Sequence, residues 1–162
     1  MRGMERKYQI CFVCSGNACR SPFAECVMRA LLSRAGLMGI EVSSAGTIEW
    51  GRNPRDPMMT RIAKEMGYEL TGETTCVTRE SLWEADSIVV FSRHHRDAVT
   101  RVLDYAHWNR IILFSQLAFG TDEEIEDPNY QTEAVYRRVA SQIEEGCRRL
   151  VDCWRRCPPP IR

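Results

Sequence analysis

The stretch with the clearest chemical content is Cys14-Ser15-Gly16-Asn17-Ala18-Cys19-Arg20-Ser21-Pro22. A short apolar run, Tyr8-Gln9-Ile10-Cys11-Phe12-Val13, precedes it, and an amphipathic helical pattern beginning at Phe23 follows. A strand that turns through a tight loop into a helix N-terminus makes an anion site. The loop N–H groups converge on one point, and the open first turn of the helix adds partial positive charge. Gly16 is expected to take dihedrals that a side chain would forbid, and Asn17 tolerates the left-handed region. Pro22, with a preset φ and no N–H, suits the first helical position.

A cysteine opens this loop and an arginine closes it. A thiol facing several N–H donors, an arginine and a helix N-terminus ionises more readily than the reference thiol at roughly pKa 8.5, and the thiolate is the nucleophile. Arg20 carries a planar fork able to bind two phosphoryl oxygens as charge shifts in a transition state. Ser21 stands where its hydroxyl can hydrogen-bond the Cys14 sulfur. The bland alternative is a buried strand-end cysteine with an unrelated surface arginine. The spacing Cys-x5-Arg-Ser-Pro between a strand and a helix weighs against it.

The run Val13–Pro22 resembles the signature loop of the low-molecular-weight protein tyrosine phosphatases. Ser43-Ser44-Ala45-Gly46-Thr47, Asn53-Pro54 and Ile125-Glu126-Asp127-Pro128 extend the resemblance over nearly everything from Tyr8 to Leu150. It implies hydrolysis of a phosphotyrosine protein or peptide through a phosphocysteine, with Cys14 as nucleophile, Arg20 as phosphate clamp and Asp127 as general acid. It implies no cofactor or metal. The loop residues Ser15, Gly16, Asn17, Ala18, Cys19 and Ser21 would bind phosphate, and a bacterial tyrosine kinase system would supply the substrate. In the family, a pair such as Cys14 and Cys19 can close a reversible disulfide, so Cys19 is also a redox candidate. The family's loop asparagine is typically bonded to a histidine before the third strand. Here Thr71-Gly72-Glu73-Thr74-Thr75-Cys76 offers none.

A thiolate displacing a phenoxide needs a proton delivered to the leaving oxygen. Asp127 precedes Pro128 at the end of a polar stretch, Ser115–Glu126, whose length suits a functional lid. A helix-capping role is the alternative for this aspartate. Trp50 and Tyr130 are candidates for a flat-walled rim around a phosphotyrosine ring. Ala18 matches neither the bulky aliphatic of tyrosine-directed relatives nor the threonine of the related protein-arginine phosphatases. Phosphoarginine hydrolysis on the same scaffold therefore stands as the alternative. Thiol-based arsenate reduction would need a resolving cysteine pair after the third strand, where the chain reads Phe91-Ser92-Arg93-His94-His95.

The elements that must position these groups alternate. Strand-like runs are Tyr8–Val13, Ile40–Ser44, Ser87–Phe91 and Arg110–Phe114, separated by helical patterns near Phe23–Leu37, Pro57–Gly67, Glu80–Glu84 and Arg96–Tyr105. They predict a three-layer α/β fold: an open, doubly wound, flavodoxin-like sheet of four parallel strands in the order 2-1-3-4, with the phosphate loop after strand 1. Val135, Val139, Ile143, Cys147, Leu150 and Trp154 form one apolar stripe on a final helix. Residues 1–157 read as a single domain and 158–162 as a short mobile tail carrying Pro158-Pro159-Pro160.

Composition narrows the class. The 162 residues are 44% hydrophobic and 27% charged, and 22 basic residues balance 22 acidic ones. That balance recommends neither nucleic acid nor membrane as partner. Eight cysteines without a secretory signal read as reduced thiols, so the expected location is cytoplasmic. Cys11, Cys26 and Cys147 read as core fillers, and Cys153 and Cys157 share a helical face. His94 and His95 read as surface residues near the active-site end. Asp122, Glu123, Glu124 and Glu126 read as an acidic, solvated lid.

Overall fold

The computed structural model describes residues 5–160; the outer part of the proposed tail, Ile161 and Arg162, lies outside them. Four strands, β1 (Tyr8–Cys14), β2 (Ile40–Gly46), β3 (Ser87–Val90) and β4 (Ile111–Leu113), form one parallel sheet in the order β2-β1-β3-β4. The order is the expected one. β1 is the inner strand that carries the site: Cys14 pairs with Gly46 on one side, while Val13 pairs with Val90 on the other. Val90 in turn pairs with Leu113, so the carboxyl ends of all four strands finish at one edge.

Strand alternation divides the core in two. Ile10, Phe12 and Cys14 point into one apolar cluster, with Phe23, Met28, Phe114 and Ile143; Cys11 and Val13 point into the other, with Leu82, Ile88, Val90 and Leu103. The first layer holds α1 (Arg20–Arg34), α2 (Pro57–Glu65), α5 (Phe114–Phe119) and α6 (Glu133–Arg156); α3 (Arg79–Glu84) and α4 (Arg93–Thr100) contribute to the second. On α6 the expected stripe is buried at Val139, Ile143, Cys147, Leu150 and Trp154, and Val135 is half-buried. Among the described residues no helix is long and apolar enough to cross a membrane.

Three local expectations are corrected. Helix α1 begins at Arg20, with Cys19 as its N-cap, so Pro22 is the third helical residue and not the first. The first four N–H groups of a helix have no intrahelical acceptor, so proline is tolerated there too. The stretch Ser115–Glu126 is not loop throughout. Phe114, Leu117, Ala118 and Phe119 pack on the main core, and the resulting helix α5 ends at Gly120 in the left-handed conformation (φ 70°). Finally, α4 stops at Thr100, and Tyr105–Arg110 is a separate 3-10 turn.

Candidate active site

The sulfur of Cys14 and the hydroxyl of Ser21 lie 2.9 Å apart across the loop that joins β1 to α1. Cys14, Asn17, Arg20 and Ser21 are all buried. The left-handed residue is Asn17 (φ 54°); Gly16 does not take positive φ, contrary to expectation. Gly16 instead lies against the indole of Trp50, where an added Cβ would be 3.4 Å from Cζ2. The Trp50 Nε1–H donates to the Gly16 carbonyl at 2.9 Å, fixing the tryptophan at the loop's lip.

Asn17 braces the turn with both ends of its amide. Nδ2 donates to the Ser21 and Ser44 hydroxyls, each at 2.9 Å. Oδ1 accepts from Arg55 Nη1 at 2.9 Å and from the Thr75 N–H at 3.0 Å. The same Arg55 nitrogen donates to the Asn17 carbonyl at 2.7 Å, and its Nε donates to the Thr71 carbonyl at 3.0 Å. Partial burial lowers the Arg55 pKa from its ordinary value, with Glu25 and the nearby thiols opposing that shift. Arg55 therefore stands where the family resemblance leads one to look for histidine. Only the gap itself signalled it, because Arg55 lies 38 residues beyond Asn17.

Arg20 ties the loop to the far side of the site. Its Nη1 donates to the Ile125 carbonyl at 3.0 Å, and Nη2 lies 3.4 Å from Asp127 Oδ2. The Ile125 N–H donates to the Phe91 carbonyl at 2.9 Å, anchoring this segment at the end of β3. Asp127 does not cap α6, whose N-cap is Thr132; its Oδ1 accepts the Asn129 N–H at 3.1 Å in a local turn. The helix-capping alternative is thereby set aside. Beyond it Tyr130 takes φ 61° and is 99% exposed. Cys14, Ala18, Arg20, Trp50, Asp127 and Tyr130 share one cleft of about 670 Å³. The cleft brings together residues that are more than 100 positions apart in the chain.

The histidines are not both at the surface. His95 is fully buried, and its Nε2 is 2.9 Å from the Ser15 hydroxyl. Burial first, then the charges of Arg20 and His94, hold its pKa down to about 3. The acidic lid is partly ion-paired: Glu124 accepts the Arg93 N–H at 2.9 Å, and Glu126 pairs with Arg138. Burial raises the thiol of Cys11 to about 11 and that of Cys19 well above the ordinary range. Cys11 and Cys147 are buried as expected, Cys26 is only partly so, and Cys153 and Cys157 are exposed. Among the described residues no group of three or more His, Cys, Asp or Glu side chains could hold a metal ion.

The fold and this loop define a doubly wound α/β protein with a cysteine-headed loop at the carboxyl edge of its sheet. The family model described as low molecular weight phosphotyrosine protein phosphatase matches residues 9–156, and the chain belongs to that family. It is 32% identical over 151 residues to low molecular weight phosphotyrosine protein phosphatase 2 of Drosophila melanogaster, covering 90% of this chain and 92% of the relative. It is also 30% identical over 145 residues to a protein-arginine-phosphatase of Geobacillus stearothermophilus, covering 90% and 95%. The crystal structure of a low molecular weight phosphotyrosine phosphatase from Vibrio cholerae superposes with a TM-score of 0.84 at 30% identity. That match covers 91% of this chain and 96% of the other.

Proposed function

We propose that this protein is a phosphotyrosine protein phosphatase that works through a phosphocysteine. Cys14 Sγ attacks phosphorus, the bond to the tyrosyl oxygen breaks, and Asp127 protonates that oxygen as it leaves. Asp127, now a carboxylate, takes a proton from water. The water attacks the phosphocysteine, the S–P bond breaks, and phosphate departs with the Cys14 thiolate restored. Arg20 holds two phosphoryl oxygens through both steps, and the Ser21 hydroxyl hydrogen-bonds the sulfur each time it carries negative charge. The amides of Ser15 through Cys19 supply the remaining donors.

The observation that carries this reading is the convergence of Cys14, Arg20 and Asp127 on one cleft from opposite ends of the chain. Trp50, 49% exposed, and Tyr130 at the mouth favour a flat aromatic leaving group. Phosphorylated protein as the substrate class follows from the family. A tyrosine kinase system as the source of that substrate and the cytoplasm as the location belong to the same proposal.

Hydrolysis of phosphotyrosine and phosphoarginine peptides by wild type, Cys14→Ser and Asp127→Ala tests it. Wild type is expected to prefer phosphotyrosine, and Cys14→Ser to be inactive. Asp127→Ala is expected to lose roughly 10²–10⁴ on the peptide and less on nitrophenyl phosphate, whose leaving group needs little protonation. Preference for phosphoarginine transfers the assignment to the alternative substrate. Turnover by Cys14→Ser refutes it.

A further inference from the structure

Phosphoryl transfer through Cys14, Arg20 and Asp127 gives no part to the two imidazoles beside Ser15. His94 and His95 lie in the first turn of α4, directly after the carboxyl end of β3, and both bridge the same two hydroxyls. His95 Nε2 is 2.9 Å from Ser15 Oγ and its Nδ1 is 3.0 Å from Ser92 Oγ. His94 Nε2 is 3.2 Å from Ser15 Oγ and its Nδ1 is 2.8 Å from Ser92 Oγ. The imidazole centres are 4.2 Å apart. Ser15, His95, Ser92 and His94 therefore close a circuit of four hydrogen bonds.

The proton count matches. With both imidazoles neutral, two hydroxyls and two imidazoles carry one polar proton each, so four protons serve four bonds. Each serine then donates once and accepts once, and each imidazole donates through one nitrogen and accepts through the other. Whichever way the bonds circulate, one histidine must be the Nδ1–H tautomer and its neighbour the Nε2–H tautomer. The burial that keeps His95 neutral preserves this count.

Ser15 is the residue that follows Cys14, and its carbonyl is already held by the Ile48 N–H at 3.0 Å. The circuit fixes its side chain from the opposite strand connection. We propose that Ser92, His94 and His95 are positioning residues that hold Ser15, and through it the phosphate loop, in the geometry that presents Cys14 to phosphorus. The proposal rests on Cys14 being the nucleophile, and it extends the site beyond the loop to the first turn of α4.

The test uses the full chain. Imidazole ¹⁵N shifts at neutral pH are expected to show opposite tautomers for His94 and His95; the same tautomer in both overturns the circuit. Ser92→Ala removes the far hydroxyl, which makes no hydrogen bond to Cys14 or Ser15. It removes two of the four bonds and is expected to lower kcat/KM at least about fivefold, the order that a single lost hydrogen bond sets. Alkylation of Cys14 by iodoacetate should slow by a similar factor, and Ser92→Thr, which keeps the hydroxyl, should restore both. If Ser92→Ala does not fold, His94→Phe at an exposed position takes its place with the same expected losses. A folded variant within twofold of wild type in both readouts overturns the proposal, as does failure of Ser92→Thr to restore them. Tautomer and alkylation measurements need no substrate. A wild type inert toward phosphotyrosine would thus refute the proposed reaction and leave this test standing.

Discussion

His95 is a buried base sitting close to the positive charge of Arg20, and both features keep it unprotonated in the folded chain. In the unfolded chain an imidazole titrates at about 6.5. Between about 6.5 and about 3 the unfolded state therefore holds the extra proton. The stability tied to this residue is complete above about pH 6.5 and declines as pH falls through that window, by up to about 1.4 kcal/mol per pH unit. The ion-paired Glu124 and Glu126 have lowered pKa values and lose their contribution only below the ordinary carboxylate range near roughly 4.3. Urea unfolding at pH 7 and pH 5 isolates the imidazole. Stability should be lower at pH 5, with a smaller difference in His95→Gln; no loss in wild type contradicts a buried neutral His95. This histidine was illegible in the sequence because the pair His94-His95 follows a strand, where exposure is the ordinary expectation. Only the start of α4 at Arg93 turns the second ring inward. Arg55 was illegible for a different reason: its partners Asn17 and Thr71 come from two other segments.

Among the elements, β1, its loop and α1 were readable because each rests on local chemistry: an apolar run, a left-handed Asn17 and an amphipathic repeat. The long stripe of α6 was readable for the same reason. Helix α5 was not, since its six residues span too few turns to show a period, and it forms because its apolar side chains bury against α6. The loop's backbone also depends on a neighbour that sequence spacing could not reveal. A Cβ at Gly46, at the end of β2, would stand 2.6 Å from the Ser15 carbonyl oxygen and 3.0 Å from the Asn17 nitrogen. Both obstacles are backbone atoms and cannot rotate away. Gly46→Ala should therefore destabilise the protein by about 1–3 kcal/mol and reduce phosphatase activity by displacing the loop. Denaturant unfolding and nitrophenyl phosphate turnover check this pair of effects. Wild-type values for both would contradict the close packing of β2 on the loop.

In the molecule as a whole, the sheet order places a thiol from the first strand in one cleft with an aspartate that follows the last one. Loops at the carboxyl ends of parallel strands converge regardless of their distance in sequence. That convergence was legible as topology, and the family resemblance supplied the partner of Cys14. The identity of the leaving group was less legible: the chain matches tyrosine- and arginine-directed relatives at similar identity, and Ala18 at the lip distinguishes neither. The proposed reaction passes a phosphoryl group through the sulfur of Cys14. Acid quenching Asp127→Ala during turnover of nitrophenyl phosphate, whose leaving group needs little protonation so that the intermediate forms and then waits for its base, followed by mass mapping, gives the sharpest test. One phosphoryl group is expected on the proteolytic peptide containing Cys14, and none in Cys14→Ser. A phosphoryl group on another residue, or none while turnover continues, would contradict it.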